Sequence, residues 1–231
     1  MPPIYNPLGR KPLQKRSVER IELILTTTHD LLMELPLEEI NTNLIAERAN
    51  IKVGTLYHFF PNKFAIYNAL IHQTLSQMDE ILLAVLETTA AEKTVEELVE
   101  AAVLALAGFW RDSSLLTTLW FALQKHPETQ QVVEHFESIW IPVIAERLAK
   151  DIPQLTQARA ELAAFVILQT IYPLLDQSGL LPPAQARLLV QETCAILKVY
   201  TSSLRNMPAE RMESMNRQAD KNWPVITNTE Q

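Results

Sequence analysis

Only four glycines occur in 231 residues, and none follows an asparagine or aspartate. Tight hairpins draw on Asn-Gly and Asp-Gly turns, so this chain has little means of reversing strands. Leu, Ala, Glu and Gln instead recur at three- and four-residue spacing, the period of a helix with one apolar face. Together these facts predict an all-α fold. Hydrophobic residues make up 48% and charged residues 20%, a globular balance, and the length suffices for one domain with a smaller one attached.

Val18, Ile21, Ile24, Leu25, Leu31, Leu32 and Leu35 form a helical stripe over 17–35, with Thr28 filling its gap. Pro36 closes that helix. Asn41 or Thr42 then offers an oxygen to the free amides of a short second helix, 42–49. Asn50 tolerates the left-handed conformation, so Asn50-Ile51-Lys52 is predicted as a tight turn. A third short helix follows over 53–60, with Leu56, Phe59 and Phe60 pointing inward and Val53, Thr55, Tyr57 and His58 outward. Two short helices joined by a three-residue turn match the helix-turn-helix pattern, whose second helix enters the DNA major groove. Gly54 lets backbone approach a phosphate. Pro61 suits the first turn of a fourth helix reaching to about residue 86, and Lys63 lies where it can hold a phosphate.

Net charge is −7, which alone argues against nucleic acid, but its distribution argues the reverse. Arg10, Lys11, Lys15, Arg16 and Arg20 face only Glu19 in the first twenty residues, whereas residues 64–231 carry 12 basic against 20 acidic side chains. A basic front on an acidic body suits one face made for phosphates.

Residues 43–63, NLIAERANIKVGTLYHFFPNK, resemble the DNA-binding signature of the TetR/AcrR family of bacterial transcriptional regulators, roughly I-A-x-x-A-G-V-S-x-G-T-L-Y-x-Y-F-x-x-K. The lead-in RKPLQKRSVERIELIL is similar to that family's arm and first helix. Three positions depart from the pattern: Asn50 for Gly, Lys52 for Ser and Phe59 for Tyr. Lys52 removes an N-cap hydroxyl, at roughly 1 kcal/mol of local helix stability. The resemblance implies DNA contacts from Thr42, Asn43, Lys52, Val53, Gly54, Thr55, Tyr57, His58 and Lys63, with Asn43 and Val53 reading bases and Thr42, Thr55 and Lys63 holding phosphates. Arg10, Lys11, Lys15 and Arg16 are expected on phosphates or in the minor groove.

Further helices are expected at about 94–111, 115–125, 128–150, 156–177 and 183–205, with Gly179 as a C-cap and Pro182-Pro183 opening the last of these. A short helix at 209–219 precedes a disordered end. The expected organisation is a basic arm, 1–16; a helix-turn-helix head, 17–63; a ligand-binding and dimerising body, 64–205; and a polar tail, 206–231. In the resembling family the body encloses an inducer pocket, which singles out Phe109, Trp110, Trp120, Phe121, Phe136, Trp140 and Tyr172 as candidate lining residues. The broad apolar arcs of the last two long helices, which include Phe165, Ile167, Ile171, Leu188 and Tyr200, suggest a four-helix bundle across a two-fold axis.

Other chemistry finds no purchase. His126 and His135 lack partners at metal-ligand spacing, and no nucleophile-base set, glycine-rich phosphate loop or paired catalytic carboxylate emerges. No cofactor, metal or enzymatic activity is expected. The basic start lacks an apolar h-region, and Cys194 has no second cysteine to pair with, so a cytoplasmic protein without a membrane partner is expected. The expected function is a ligand-released repressor, binding a palindromic operator as a homodimer. An activator of the same kind, or a helical small-molecule carrier without DNA binding, remains the alternative.

Overall fold

The computed structural model describes residues 15–89, 93–112 and 127–223. Nine helices and no strand occur among them: α1 Lys15–Glu34, α2 Thr42–Arg48, α3 Val53–Phe59, α4 Lys63–Thr89, α5 Val95–Asp112, α6 Pro127–Asp151, α7 Gln157–Gly179, α8 Pro183–Arg205 and α9 Ala209–Asn222. The helix expected at 115–125 lies outside the described residues. The described chain forms two compact units, one holding α1 to α3 with α4 as far as Gln77, the other holding α4 from Met78, α5, and the chain from Val133 on.

In the first unit α1 turns Ile24, Thr28, Leu31 and Leu32 inward, as its periodicity predicts. Thr28 is tolerated there because its hydroxyl donates to the Ile24 carbonyl at 2.7 Å, leaving only its methyl to be packed. Asn41 supplies the N-cap of α2, its Oδ1 accepting from the amides of Asn43 and Leu44. At the other end of α2, Asn50 has φ 52°, the left-handed conformation expected of it. The Asn50 amide donates to Glu47 O at 3.0 Å and the Ile51 amide to Ala46 O at 2.9 Å. Those two bonds make a Schellman ending, which satisfies the last carbonyls of α2 and aims the chain into α3. Pro61 does not begin α4. Asn62 caps that helix instead, accepting from the Ala65 amide at 2.9 Å, and the first helical residue is Lys63.

The second unit is built around α7, which packs against α5, α8 and α9. α7 is long and apolar enough to cross a membrane by composition, yet most of its apolar window is buried inside the protein. Thr94 and Glu97 form a reciprocal capping box at the start of α5, with Thr94 N to Glu97 Oε2 at 2.8 Å. Pro183 occupies the first turn of α8, as predicted. Gly179 is the last residue of α7, and the C-cap is Leu180 in an ordinary right-handed conformation, so no left-handed glycine is needed there. The short helix expected at 209–219 is present as α9, running on to Asn222; it packs on α7 with Met212 and Ala219 buried, the Asn216 side chain donates to Gln154 O in the turn before α7, and Trp223, just beyond α9, meets Phe165 of α7 at 5.2 Å.

Candidate nucleic-acid interface and buried slot

The three aromatics of α3 and its end take three different tasks. Phe60 is 2% exposed and packs in the core with Leu56, while Tyr57 is half exposed. Phe59, expected to point inward, is only half buried and lines a surface cleft. Helix α3 stops at Phe59, and Phe60 has φ −132° and ψ 117°. That extended step turns Phe60 into the core off the helical register, so Phe59 is released to the surface.

The cleft holds about 600 Å³ and is lined by Arg16, Ser17, Arg20, Lys52, Gly54, Thr55, His58 and Phe59. It brings together Arg16, Lys52, Gly54, Thr55 and His58 of the predicted DNA set. Three cationic side chains therefore surround the exposed face of α3. Ser17 and Arg20 are additions to that set, although Arg20 lies one helical turn from Arg16 on α1, a spacing that places both on one face. A Cβ built on Gly54 would meet nothing within 4 Å, so no packing inside the chain demands glycine there. An approaching backbone from outside the chain would demand it. Lys52 caps α3 without a side-chain bond, which leaves its ammonium at the cleft. The His58 ring stands edge-on to Phe59 at 5.0 Å.

The remaining predicted contacts lie around the cleft or outside the described residues. Thr42 Oγ1 and the Tyr57 hydroxyl share a hydrogen bond of 3.0 Å, which ties the first turn of α2 to α3. Asn43 is exposed on α2 and Val53 half buried at the start of α3. Lys63 has a structural partner: its Nζ donates to Ile40 O at 3.0 Å. One ammonium carries three donors, so this bond leaves others for a phosphate. Lys15 is exposed at the start of α1. Arg10 and Lys11 lie outside the described residues.

In the second unit four of the seven candidate lining aromatics form one row. Trp110 stacks on Tyr172 at 6.1 Å, Tyr172 meets Phe136 at 5.8 Å, and Phe136 meets Trp140 at 6.2 Å. An aspartate takes the indole N–H at each end, Trp110 to Asp176 at 2.7 Å and Trp140 to Asp79 at 2.6 Å. Burial pushes the Asp79 carboxyl up, against the lowering effect of the Trp140 bond and of His135.

Beside this row runs a slot of about 70 Å³ with an almost wholly apolar wall. Trp140 and Tyr172 line it, together with Leu82, Val85 and Leu86 of α4 and residues of α5, α6 and α7. Trp110 and Phe136 are core residues that do not line it, Phe109 is half buried away from it, and Trp120 and Phe121 lie outside the described residues. Gly108 does not line the slot either, and a Cβ there would meet nothing within 4 Å, so close packing does not explain it. Cys194 is half buried, its thiol pushed up by burial first and by Glu100 second, which favours the protonated form.

Two family profiles match the chain. Residues 24–70 match the profile described as "Bacterial regulatory proteins, tetR family", and residues 94–200 match "Tetracyclin repressor-like, C-terminal domain". The chain belongs to the TetR family. It is accordingly a DNA-binding transcriptional regulator; the first match spans α2 and α3, and the second begins just before α5 and ends within α8. The HTH-type transcriptional regulator EthR of Mycobacterium tuberculosis is 32% identical over 84 residues, covering 36% of this chain and 39% of EthR. Among solved structures, Salmonella enterica GusR superposes with a TM-score of 0.62 at 18% identity, over 83% of this chain and 100% of that one. FadR of Bacillus subtilis, in complex with stearoyl-CoA, superposes with a TM-score of 0.59 at 18% identity, over 78% of this chain and 97% of that one. At these identities the structural likeness is one of fold. The aligned region spans well under half of EthR.

Proposed function

We propose that this TetR-family regulator is a cytoplasmic repressor that binds a near-palindromic operator as a homodimer and leaves it when a small, mainly apolar effector enters the second unit. The observation that carries the DNA half is the cleft, where Arg16, Arg20 and Lys52 surround Gly54, Thr55 and His58. Cations around a face where a glycine is required by nothing inside the chain suit phosphates on either side of a groove-reading helix.

A second copy of the chain is favoured by α8. Leu188, Ile196 and Val199 lie along one side of it at 62%, 53% and 70% exposure. Such a stripe on a helix is apolar surface awaiting a partner. Of the five residues expected at a dimer interface, Ile167 and Ile171 are buried within the protomer, Phe165 packs on Trp223, and Tyr200 is half buried near Arg159. Leu188 alone of those five stands on the exposed stripe.

The effector half is supported by the slot and by its use of Leu82, Val85 and Leu86, which lie on the helix that begins at Lys63. A ligand widening the slot displaces α4. Release then depends on the difference in the ligand's affinity for the two arrangements, and swinging a population from 1:99 to 99:1 takes about 5.5 kcal/mol of it. FadR, of the same fold, holds stearoyl-CoA, a ligand with an apolar acyl chain and an anionic CoA head; only the chain part is matched by the apolar wall here.

The DNA half is tested by the salt dependence of binding. Replacing Arg16, Arg20 and Lys52 together by alanine should lower the slope of log K against log salt by about 0.9 for each phosphate that is no longer neutralised. An unchanged slope would contradict the assignment of the cleft.

A further inference from the structure

We infer that the slot takes an unbranched, electrically neutral ligand bearing one hydrogen-bond acceptor, and that the Tyr172 hydroxyl is the group that reads this acceptor. The inference rests on the effector reading above and specifies its chemistry. Three observations carry it.

The first is shape. Along α5 the wall runs from Val95 through Leu98, Val99 and Ala102 to Leu106, a span of roughly 16 Å at the helical rise. A volume of about 70 Å³ bordered by so long a wall is a thin slot rather than a round chamber. It is far below the roughly 300–1,000 Å³ of ordinary ligand sites, so any occupant must part the walls. A single extended chain parts them least. A ring system would have to displace α5 from α7, two helices packed directly on each other.

The second is charge. Arg147 is the single charged residue in the wall, and its guanidinium is already engaged: Nε and Nη2 donate to the two oxygens of Asp151, and Nη2 also reaches Lys93 O. It is paired rather than offered to a carboxylate. At the aromatic end, Glu137 and Asp79 lie close enough to Tyr172 to help hold its phenol protonated, after burial, which is the larger cause. Two acidic neighbours disfavour an anionic head there. The wall itself offers a cation no carboxylate of its own.

The third is the phenol. In the row of four aromatics, both indole N–H groups have an aspartate partner. The Tyr172 hydroxyl is buried without a hydrogen-bond partner among the described residues. A buried donor in that state is costly, and an acceptor arriving with the ligand relieves the cost. Because the phenol stays protonated, it is available as a donor.

Four probes of similar size test the inference: methyl octanoate, octanoate, octylamine and methyl adamantanecarboxylate. Binding is read from tryptophan fluorescence, since Trp140 lines the slot, and from release of DNA selected by the protein. Methyl octanoate should bind about tenfold tighter than the other three. Tyr172→Phe should weaken it by about tenfold, equivalent to 1.4 kcal/mol, while DNA affinity without ligand and the circular dichroism spectrum stay as in the wild type. Equal binding of octanoate, octylamine or the cage ester overturns the ligand class, and an unchanged affinity in Tyr172→Phe overturns the role of the phenol. If none of the four binds but another compound from a diverse panel releases DNA, this chemistry is wrong and the effector reading stands. If no compound releases DNA, both fall.

Discussion

Substitution at Asn50 separates the geometry of the helix-turn-helix from its chemistry. Asn50 sits at φ 52° between α2 and α3, and its amide and that of Ile51 close the end of α2 at 3.0 and 2.9 Å. Alanine in the left-handed region is penalised by roughly 1–2 kcal/mol for its Cβ, a penalty that asparagine partly escapes. Asn50→Ala should therefore cost about 1 kcal/mol of local stability. Glycine has no such penalty but loses more backbone freedom on folding, so Asn50→Gly should stay within about 0.5 kcal/mol of the wild type. Since the chain has two units, a global unfolding midpoint would mix them. Hydrogen exchange of the peptide covering α2 and α3 reads the turn directly, and about 1 kcal/mol appears as roughly fivefold faster exchange. The predicted order of protection places the glycine variant and wild type together, with alanine below both. Protection in Asn50→Ala equal to the wild type would refute the left-handed turn.

Other residues give independent tests. Lys63→Ala should weaken binding to all DNA sequences alike and reduce the salt slope by about one unit, as read by fluorescence anisotropy; a changed preference at a single base position would mean that Lys63 reads sequence. Ala102→Phe should fill the slot and abolish ligand response while leaving DNA affinity intact, in a titration of the DNA complex with ligand. Asp79→Asn keeps an acceptor for the Trp140 N–H but removes a carboxyl whose folded pKa is raised by burial. A raised carboxyl binds more protons folded than unfolded, so in the wild type it lowers stability as pH rises from its unfolded value of 3.8 through its higher folded value. The asparagine variant should lack that decline, so at neutral pH the peptides covering Asp79 on α4 and Trp140 on α6 should exchange hydrogen more slowly than in wild type, with the advantage vanishing toward acid.

The head is legible in the sequence because what shapes it is local. Asn41 and Asn50 act on neighbours within five residues and have the conformations expected of them, and Ile24, Leu31 and Leu32 of the predicted stripe are buried, whereas Val18, on the same stripe, is exposed. Phe59 departs from the helical wheel because the period runs one residue short of the expectation: the helix ends there, and the extended Phe60 no longer follows it. Arg20 is legible in principle, one turn from Arg16, but its approach to α3 depends on how α1 packs. The slot is not legible. The aromatics stand out as candidates, yet three-dimensional stacking consumes most of them, and the slot is made largely of Leu, Val and Ile residues whose composition is that of any core. α9, by contrast, is legible, since its buried Met212, Asn216 and Ala219 recur at helical spacing among charged residues, whereas the packing of Trp223 on Phe165 just beyond it is not.

The account rests above all on a symmetric pair of α3 helices reading DNA, and selection of bound fragments from a random duplex pool addresses this directly. The predicted result is an inverted repeat whose half-sites are separated by one helical turn of about 34 Å or a multiple of it, with enrichment abolished when Arg16, Arg20 and Lys52 are replaced together. An asymmetric site bound by a single chain, or no enrichment of any sequence, would contradict it.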